Sequence, residues 1–250
     1  MAVTIKSERE IDLMRKSCQI LAKVHDELGK AIEPGMSTLD IDRLGEKLIR
    51  GYGCIPNFLH YNGYPASVCV SVNDEVVHGI PRADRILQEG DIVSLDAGLI
   101  YKGYHSDAAR TYGVGKISHE AQQLIDETRN SFFEGIKKAK AGNHLHDISN
   151  TIDAYISKFG YGIVRDLVGH GIGTSLHEDP QIPNFAQRRK GVKLQPGMTL
   201  AIEPMINMGT HEVFVDEEDD WTVVTEDELP SAQWEHTFLM TEQGLEILTY

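Results

Sequence analysis

Cysteine is scarce in this chain, which has Cys18, Cys54 and Cys69 and no C-x-x-C pair. An odd number at these spacings argues against a disulfide scaffold or a thiolate zinc site and favours a reducing cytoplasm. A long apolar run is also missing: no stretch approaches about 18 consecutive apolar residues, which excludes a transmembrane helix. The first ten residues carry charges and no apolar core, so we expect no secretory signal peptide.

Basic residues are missing from the C-terminal part. Residues 194–250 hold 13 Asp and Glu but no Lys or Arg, whereas residues 1–193 are nearly balanced, with 24 basic against 25 acidic side chains. A sequence-independent nucleic-acid binder needs basic surface to displace counterions, so that class is disfavoured at a net charge of −14. We expect the C-terminal acids to lie in a solvated loop, to hold cations, or both.

The chain does contain an internal duplication, at an offset of 107 residues. The stretch 87–96, Leu-Gln-Glu-Gly-Asp-Ile-Val-Ser-Leu-Asp, aligns with 194–203, Leu-Gln-Pro-Gly-Met-Thr-Leu-Ala-Ile-Glu, and the offset holds at further positions within 35–53. A second pair, His78-Gly-Ile and His170-Gly-Ile, is shifted by 92, so the second half carries an insertion of 15 residues. The repeats predict two pseudo-symmetric halves.

Helical and extended patterns follow in the same order in each half. Apolar spacing predicts helices over 11–28, 39–49, 121–136 and 148–159, and strands over 67–72, 91–97, 198–203, 235–240 and 245–249. Ser7 and Glu10 form a capping box before the first helix, and Gly29 is expected to end it. Helices grouped before strands favour an α+β fold. We predict one domain over 1–250, with halves of about 1–110 and 115–250.

Four acids lie on or beside segments otherwise suited to burial. Asp96 and Glu203 occupy equivalent positions of the duplication, Asp107 precedes two alanines, and Glu235 adjoins an apolar strand. A buried carboxylate without a partner costs several kcal/mol, so each needs a cation. A single Asp at a strand end is more typical of a turn or cap, but the duplicated placement, with His170 among glycines, favours metal. Imidazole and carboxylates suit Mn, Fe, Co or Zn.

Together these motifs resemble the type I methionine aminopeptidases of peptidase family M24, in their bacterial, catalytic-domain form. The resemblance spans about residues 6–249, and it is carried by Asp96…Asp107, Gly169-His170-Gly-Ile-Gly, His177-Glu178-x-Pro180, Ile202-Glu203-Pro204 and Ser231-Ala-Gln-x-Glu235-His-Thr. It implies an α+β "pita-bread" fold, with two pseudo-symmetric halves around one metal centre, and no additional N-terminal domain.

The resemblance also implies a dinuclear metal centre. Two divalent ions would be bridged by Asp107 and Glu235, with Asp96 on one ion and His170 and Glu203 on the other. A bridging hydroxide would attack the carbonyl of an N-terminal methionine followed by a small residue, and Glu203 would carry the proton to the leaving amine.

Further roles are implied for residues outside the ligand set. His177 would donate to the scissile carbonyl oxygen and His78 to the amide nitrogen or the developing charge. The resemblance assigns the methionine pocket to Phe58, Tyr61, Tyr64, Cys69, Leu176 and Trp221. Leu176 departs from the phenylalanine often found at this position of the family, which bears on pocket shape. Each histidine alone would be interpreted as a loop residue, and the aromatic cluster as plain core.

The expected partners are nascent polypeptide N-termini in the cytoplasm, with no membrane and no specific nucleic acid, and the chain is expected to act as a monomer. The basic run 188–190 is interpreted as a solvated face, with transient contact to the ribosome as the alternative. Two other functions stay open at this point: a prolidase of the same fold, and a metal-free peptide-binding module.

Overall fold

A computed structural model describes residues 3–250 of the protein. Within that range the chain forms four α-helices: α1 (Glu8–Ala31), α2 (Thr38–Gly51), α3 (His119–Ile136) and α4 (Leu145–Ile156). The strands, which are short apart from β4 and β5, are β1 (Ile55–Pro56), β2 (Val68–Val72), β3 (Glu75–Val77), β4 (Ile92–Tyr101), β5 (Tyr104–Gly113), β6 (Gly162–Ile163), β7 (Gly169–Gly171), β8 (Glu178–Ile182), β9 (Thr199–Ile202), β10 (Met205–Asn207), β11 (Val213–Val215), β12 (Val223–Thr225), β13 (Ser231–Gln233), β14 (His236–Thr241) and β15 (Gly244–Ile247).

The N-terminal half packs two helices on an antiparallel sheet. The sheet has the order β1-β4-β2, and β5 pairs with β4 along ten residues. Helix α1 begins at the predicted capping box, where Glu10 Oε2 accepts from the Ser7 backbone N–H at 2.8 Å and from its hydroxyl at 2.7 Å. The apolar stripe of α1, which includes Leu21 and Leu28, is buried against the sheet.

The C-terminal half repeats this arrangement around a second sheet. Helices α3 and α4 pack against each other. The sheet has the order β15-β14-β9-β7-β8, and its core includes Phe132, Ile152 and Phe238. Two three-stranded sheets, β13-β10-β6 and β11-β12-β3, complete the described strands.

A backbone contact joins the two main sheets. The N–H of Glu235 donates to the carbonyl of Ala109 on β5 at 2.8 Å, and Arg110 forms an isolated bridge with Trp234. The residues next to this seam therefore come from both halves of the chain. None of the helices within residues 3–250 combines the length and apolar content needed to cross a bilayer.

The structure corrects one sequence prediction and adds a strand that the sequence did not predict. Gly29 lies inside α1, which continues to Ala31. The glycine is there for close packing, because a Cβ would lie 2.6 Å from Cε1 of Tyr112. The ten-residue strand β5 was not predicted, since its sequence, Tyr-His-Ser-Asp-Ala-Ala-Arg-Thr-Tyr-Gly, is poor in apolar β-branched residues.

Candidate active site

One cavity of about 280 Å³ lies at the seam between the sheets. It is lined by every residue that the sequence pointed to as a metal ligand, catalytic group or pocket wall: Phe58, Tyr61, Tyr64, Cys69, His78, Asp96, Asp107, His170, Leu176, His177, Glu203, Trp221 and Glu235. Asn62, Val77, Leu167, Val168 and Met205 complete the lining. Residues more than 170 positions apart in sequence thus meet around one space.

The register of β4 and β5 brings two carboxylates together. Asp96 pairs with Ala109 and Gly98 pairs with Asp107, so the two acids are diagonal neighbours on one face of the sheet. On the other side of β4, Cys69 pairs with Asp96 and extends the same face. Asp107 is only 4% exposed.

The second sheet supplies the other three predicted ligands. His170 on β7 pairs with Ala201 on β9, Glu203 directly follows β9, and Glu235 directly precedes β14. The Nδ1–H of His170 donates to the carbonyl of Gly171 at 2.8 Å. In that tautomer Nε2 carries a lone pair, and it lies 3.6 Å from Asp107 Oδ2 and 3.9 Å from Glu203 Oε1.

The glycines beside His170 permit this close approach of backbones. A Cβ on Gly169 would lie 2.5 Å from the carbonyl oxygen of Ala201, and one on Gly171 would lie 2.2 Å from that of Asp179. Both contacts are with main-chain atoms, so any side chain at either position would push β7 away from its neighbours.

The donor set fits divalent cations. Ligand atoms of Asp107, His170 and Glu235 all lie within 4.8 Å of one another. Asp96 Oδ1 and Asp107 Oδ1 are buried without a hydrogen-bond partner. Burial, reinforced by mutual repulsion for Asp96, Glu203 and Glu235, raises the pKa of all four carboxyl groups well above their usual range. Burying such a cluster of carboxylates destabilises the folded protein unless a cation binds among them.

Gln233 is a site residue that the sequence reasoning missed. Its side-chain amide lies 3.5 Å from both Asp96 Oδ2 and Glu203 Oε2, bridging the two acids related by the duplication. Strand alternation gives a signal for it, because in an extended chain the residue two positions before Glu235 is expected on the same face. Its hydrogen bonds lower the pKa of both acids, opposing the effect of burial.

The two histidines outside the predicted ligand set are neutral at physiological pH. Burial lowers the pKa of His78 to about 4 and that of His177 to about 4, and each pKa is lowered further by a neighbouring histidine. The His177 ring lies edge-on to His170, with 4.4 Å between centroids, and the His78 and Trp221 rings are also edge-on, with 6.2 Å between centroids. Neutral imidazoles at the cavity wall donate or accept one hydrogen bond per ring nitrogen.

The remaining wall is apolar and aromatic. Tyr64 is buried, donates its hydroxyl to the Gly79 carbonyl at 2.8 Å, and meets the edge of Trp221 with 5.2 Å between centroids. Cys69 and Leu176 are also buried and complete a soft wall beside the acids. A surface of this kind suits a flexible thioether side chain.

The chain resembles known proteins over its whole length. Residues 12–242 match metallopeptidase family M24. The methionine aminopeptidase of Clostridium acetobutylicum is 50% identical over 247 residues, covering 99% of this chain and 98% of the relative. Methionine aminopeptidase 1 of Bacillus subtilis is 47% identical over 247 residues, covering 99% of each.

Comparison with solved structures gives the same result. The crystal structure of methionine aminopeptidase from Rickettsia prowazekii matches with a TM-score of 0.97 at 36% identity, covering 100% of both chains. A Xaa-Pro dipeptidase from Bacillus anthracis matches less well, with a TM-score of 0.79 at 25% identity, covering 98% of this chain and 61% of that one. These matches confirm the predicted pita-bread α+β fold class.

The fold and the acid–histidine cluster define a metallopeptidase, and the chain belongs to metallopeptidase family M24. Within that family it belongs to the methionine aminopeptidases, to which it is similar from end to end.

Proposed function

We propose that this site removes N-terminal methionine from nascent proteins and peptides whose second residue is small. The observation that carries the proposal is the convergence of four carboxylates and His170 on one cavity whose remaining wall is apolar and aromatic. The acids supply a cation site, and the wall supplies a place for the methionine side chain. The whole of residues 1–250 acts as a single catalytic domain with halves of about 1–110 and 115–250.

Five residues would hold two divalent ions, Mn, Fe, Co or Zn: Asp96, Asp107, His170, Glu203 and Glu235. The charge supports that number, because four carboxylates balance two divalent cations. Asp107 and Glu235 lie deepest, at 4% and 2% exposed, which suits carboxylates that bridge the ions. When bound, the ions supply Lewis-acid polarisation of a carbonyl and lower the pKa of a water.

The chain's own residues then orient the peptide and move its protons. Glu203 reaches the cavity from the end of β9, where its carboxylate takes the proton from the attacking water and delivers it to the departing amine. His177 donates to the scissile carbonyl oxygen, and His78 to the amide nitrogen or the developing charge. Both rings line the cavity together with the acids, and we expect them to crowd the residue after methionine.

The substrates arise wherever new chains emerge, so we infer a cytoplasmic enzyme acting as a monomer on nascent N-termini. Arg188, Arg189 and Lys190 are exposed, which supports the alternative of transient ribosome contact through this face.

Peptide turnover tests the proposal. Met-Ala-Ser should be cleaved after chelation and re-addition of Mn, Fe, Co or Zn separately, and Met-Lys-Ser should be cleaved far more slowly because the histidines crowd the second residue. Preferred turnover of Ala-Pro would favour the prolidase function instead. Absence of bound metal in purified protein, with retained peptide affinity, would favour the binding module.

A further inference from the structure

Tyr61 makes a directional contact with the predicted carbonyl-binding histidine. Its phenol oxygen lies 2.8 Å from Nδ1 of His177, and the two rings are tilted by 52° with centroids 5.4 Å apart. Within residues 3–250 the phenol oxygen has no other hydrogen-bond partner. The contact therefore involves the ring nitrogen on the opposite side of the imidazole from Nε2.

The loop that carries Tyr61 has an unusual backbone. His60 and Asn62 both adopt the left-handed region, with φ of 68° and 50°, and Gly63 follows at 94°. The loop is closed by His60 N–H donating to the Tyr64 carbonyl at 2.8 Å and by Tyr64 N–H donating to the Tyr61 carbonyl at 2.9 Å. Left-handed conformations at non-glycine residues are costly and concentrate at functional sites. Here they flank a single tyrosine.

The backbone around His177 is held separately. Glu178 forms a partly buried ion pair with Lys6 at 2.5 Å and accepts from the Ser175 backbone N–H at 3.3 Å. These contacts fix where the chain places His177, but they do not determine which ring nitrogen carries the hydrogen. The hydrogen-bond partner of His177 Nδ1 determines which ring nitrogen carries the hydrogen.

A neutral imidazole carries its hydrogen on one nitrogen and accepts on the other. A phenol O–H that donates to Nδ1 leaves the hydrogen on Nε2, the atom that would donate to a carbonyl in the cavity. We propose that Tyr61 is a positioning residue that donates to His177 Nδ1, fixing the Nε2–H tautomer and the orientation of the ring. The proposal rests on the function above, in which His177 is a donor to the substrate.

The tautomer is measurable without substrate. In protein labelled with ¹⁵N-histidine and loaded with zinc, two-bond ¹⁵N–¹H correlations should show Nε2 protonated and Nδ1 unprotonated for His177, assigned with His177→Gln. Tyr61→Phe should convert this signal to a mixture of tautomers. Tyr64→Phe is the matched control: it removes a hydroxyl from the same cavity, bonded to Gly79 rather than to histidine, and should leave the His177 signal as it is. An Nδ1–H tautomer in the wild type, or an unchanged signal in Tyr61→Phe, overturns the proposal.

Kinetics separate this role from simple pocket lining. Tyr61→Phe should lower kcat on Met-Ala-Ser about tenfold, with metal content unchanged and little change in KM. In a His177→Ala background the same change should alter kcat less than about twofold, because a residue acting through His177 has nothing left to position. Equal losses in both backgrounds would show that Tyr61 acts by another route. If wild-type protein fails to cleave Met-Ala-Ser while the tautomer is as expected, the proposed function fails and the positioning does not.

Discussion

The hydroxyl of Thr237 holds the backbone of Asp107 from both sides. It donates to the Asp107 carbonyl at 2.8 Å and accepts from the Asp107 N–H at 3.1 Å. Thr237 lies on β14, two residues after Glu235, whereas Asp107 lies on β5 in the other sheet. This buried hydroxyl and the Glu235–Ala109 backbone hydrogen bond together set the relative position of the two acids that are proposed to bridge the metal ions.

Thr237→Val, which keeps the shape of the side chain and removes the hydroxyl, should weaken metal binding and lower stability. The variant leaves the buried polar groups of Asp107 without their partner, at a cost of about 1–3 kcal/mol in unfolding free energy. Denaturant unfolding and metal titration of the purified variant measure both effects.

Thr237→Ser is the matched control, because it keeps the hydroxyl and loses only a methyl group. It should retain most of the metal affinity. If the valine and serine variants bind metal equally well, the hydrogen bonds of the Thr237 hydroxyl to the Asp107 backbone do not position Asp107 as a metal ligand.

Variants of the proposed metal ligands should lose bound metal, whereas variants of the proposed substrate-contacting histidines should keep it. Asp96→Ala, Asp107→Ala and Glu235→Ala should abolish activity by losing metal, since each removes negative charge that balances the cations. His177→Ala should retain its metal and lose kcat. Elemental analysis alongside turnover of Met-Ala-Ser makes the comparison, and metal loss in His177→Ala equal to that in Asp107→Ala would refute the assigned roles.

The acidic run 216–220 should favour peptides with basic residues after the small second position. It abuts Trp221 on the cavity wall, and Glu217, Glu218 and Asp220 are exposed. Asp219 has a structural role, accepting from the Trp221 and Thr222 backbone N–H groups at 2.8 Å each, and should be left in place. Screening limits the effect to about 1 kcal/mol, expressed mainly in kcat/KM.

The measurement compares Met-Ala-Lys-Lys with Met-Ala-Asp-Asp at low and high salt. The triple variant Glu217→Gln, Glu218→Gln, Asp220→Asn should lose the preference for the lysine peptide. A control variant with three other exposed acids neutralised (Glu120→Gln, Asp126→Asn and Glu242→Gln) should keep it. A preference that survives both high salt and neutralisation of the loop contradicts electrostatic steering.

His25 should make the protein acid-sensitive. It is fully buried, its Nε2 lies 2.7 Å from the Ala108 carbonyl, and burial, together with the charge of Arg110, lowers its pKa to about 3. Between pH 6.5 and about 3 the unfolded state therefore binds one more proton than the folded state, so the unfolding free energy falls as the pH falls.

His25→Gln removes the titrating group and keeps a side chain that can donate to Ala108. In excess chelator, the unfolding free energy of the wild type should fall by about 2 kcal/mol more than that of this variant between pH 7 and pH 5. Parallel pH dependence of the two unfolding free energies would show that His25 makes no such contribution.

The sequence identified the helices, much of the second sheet and the acids of the site because each has a local signature. The capping box at Ser7, the apolar spacing of α1 and the duplicated stretches 87–96 and 194–203 are visible without tertiary contacts. Gly29 was misinterpreted because a glycine required for close contact with Tyr112 has the same local appearance as one that ends a helix.

The features that the sequence did not predict depend on tertiary contacts. Strand β5 is extended because all ten of its residues pair with β4, although its composition gives little indication of a strand. Gln233 matters because folding brings Asp96 and Glu203 within reach of one amide. The Tyr61–His177 hydrogen bond joins residues 116 apart in sequence, and no local pattern relates them.

The four buried carboxyl groups also couple metal binding to pH. Because burial raises their pKa values, they bind protons more readily than ordinary carboxyl groups, and a cation that binds in the cavity competes with those protons. Loading the enzyme is therefore an exchange of hydrogen ions for metal ions. Mild acidification drives that exchange backwards, so the pH of the surroundings sets how much cation the protein retains at a given supply.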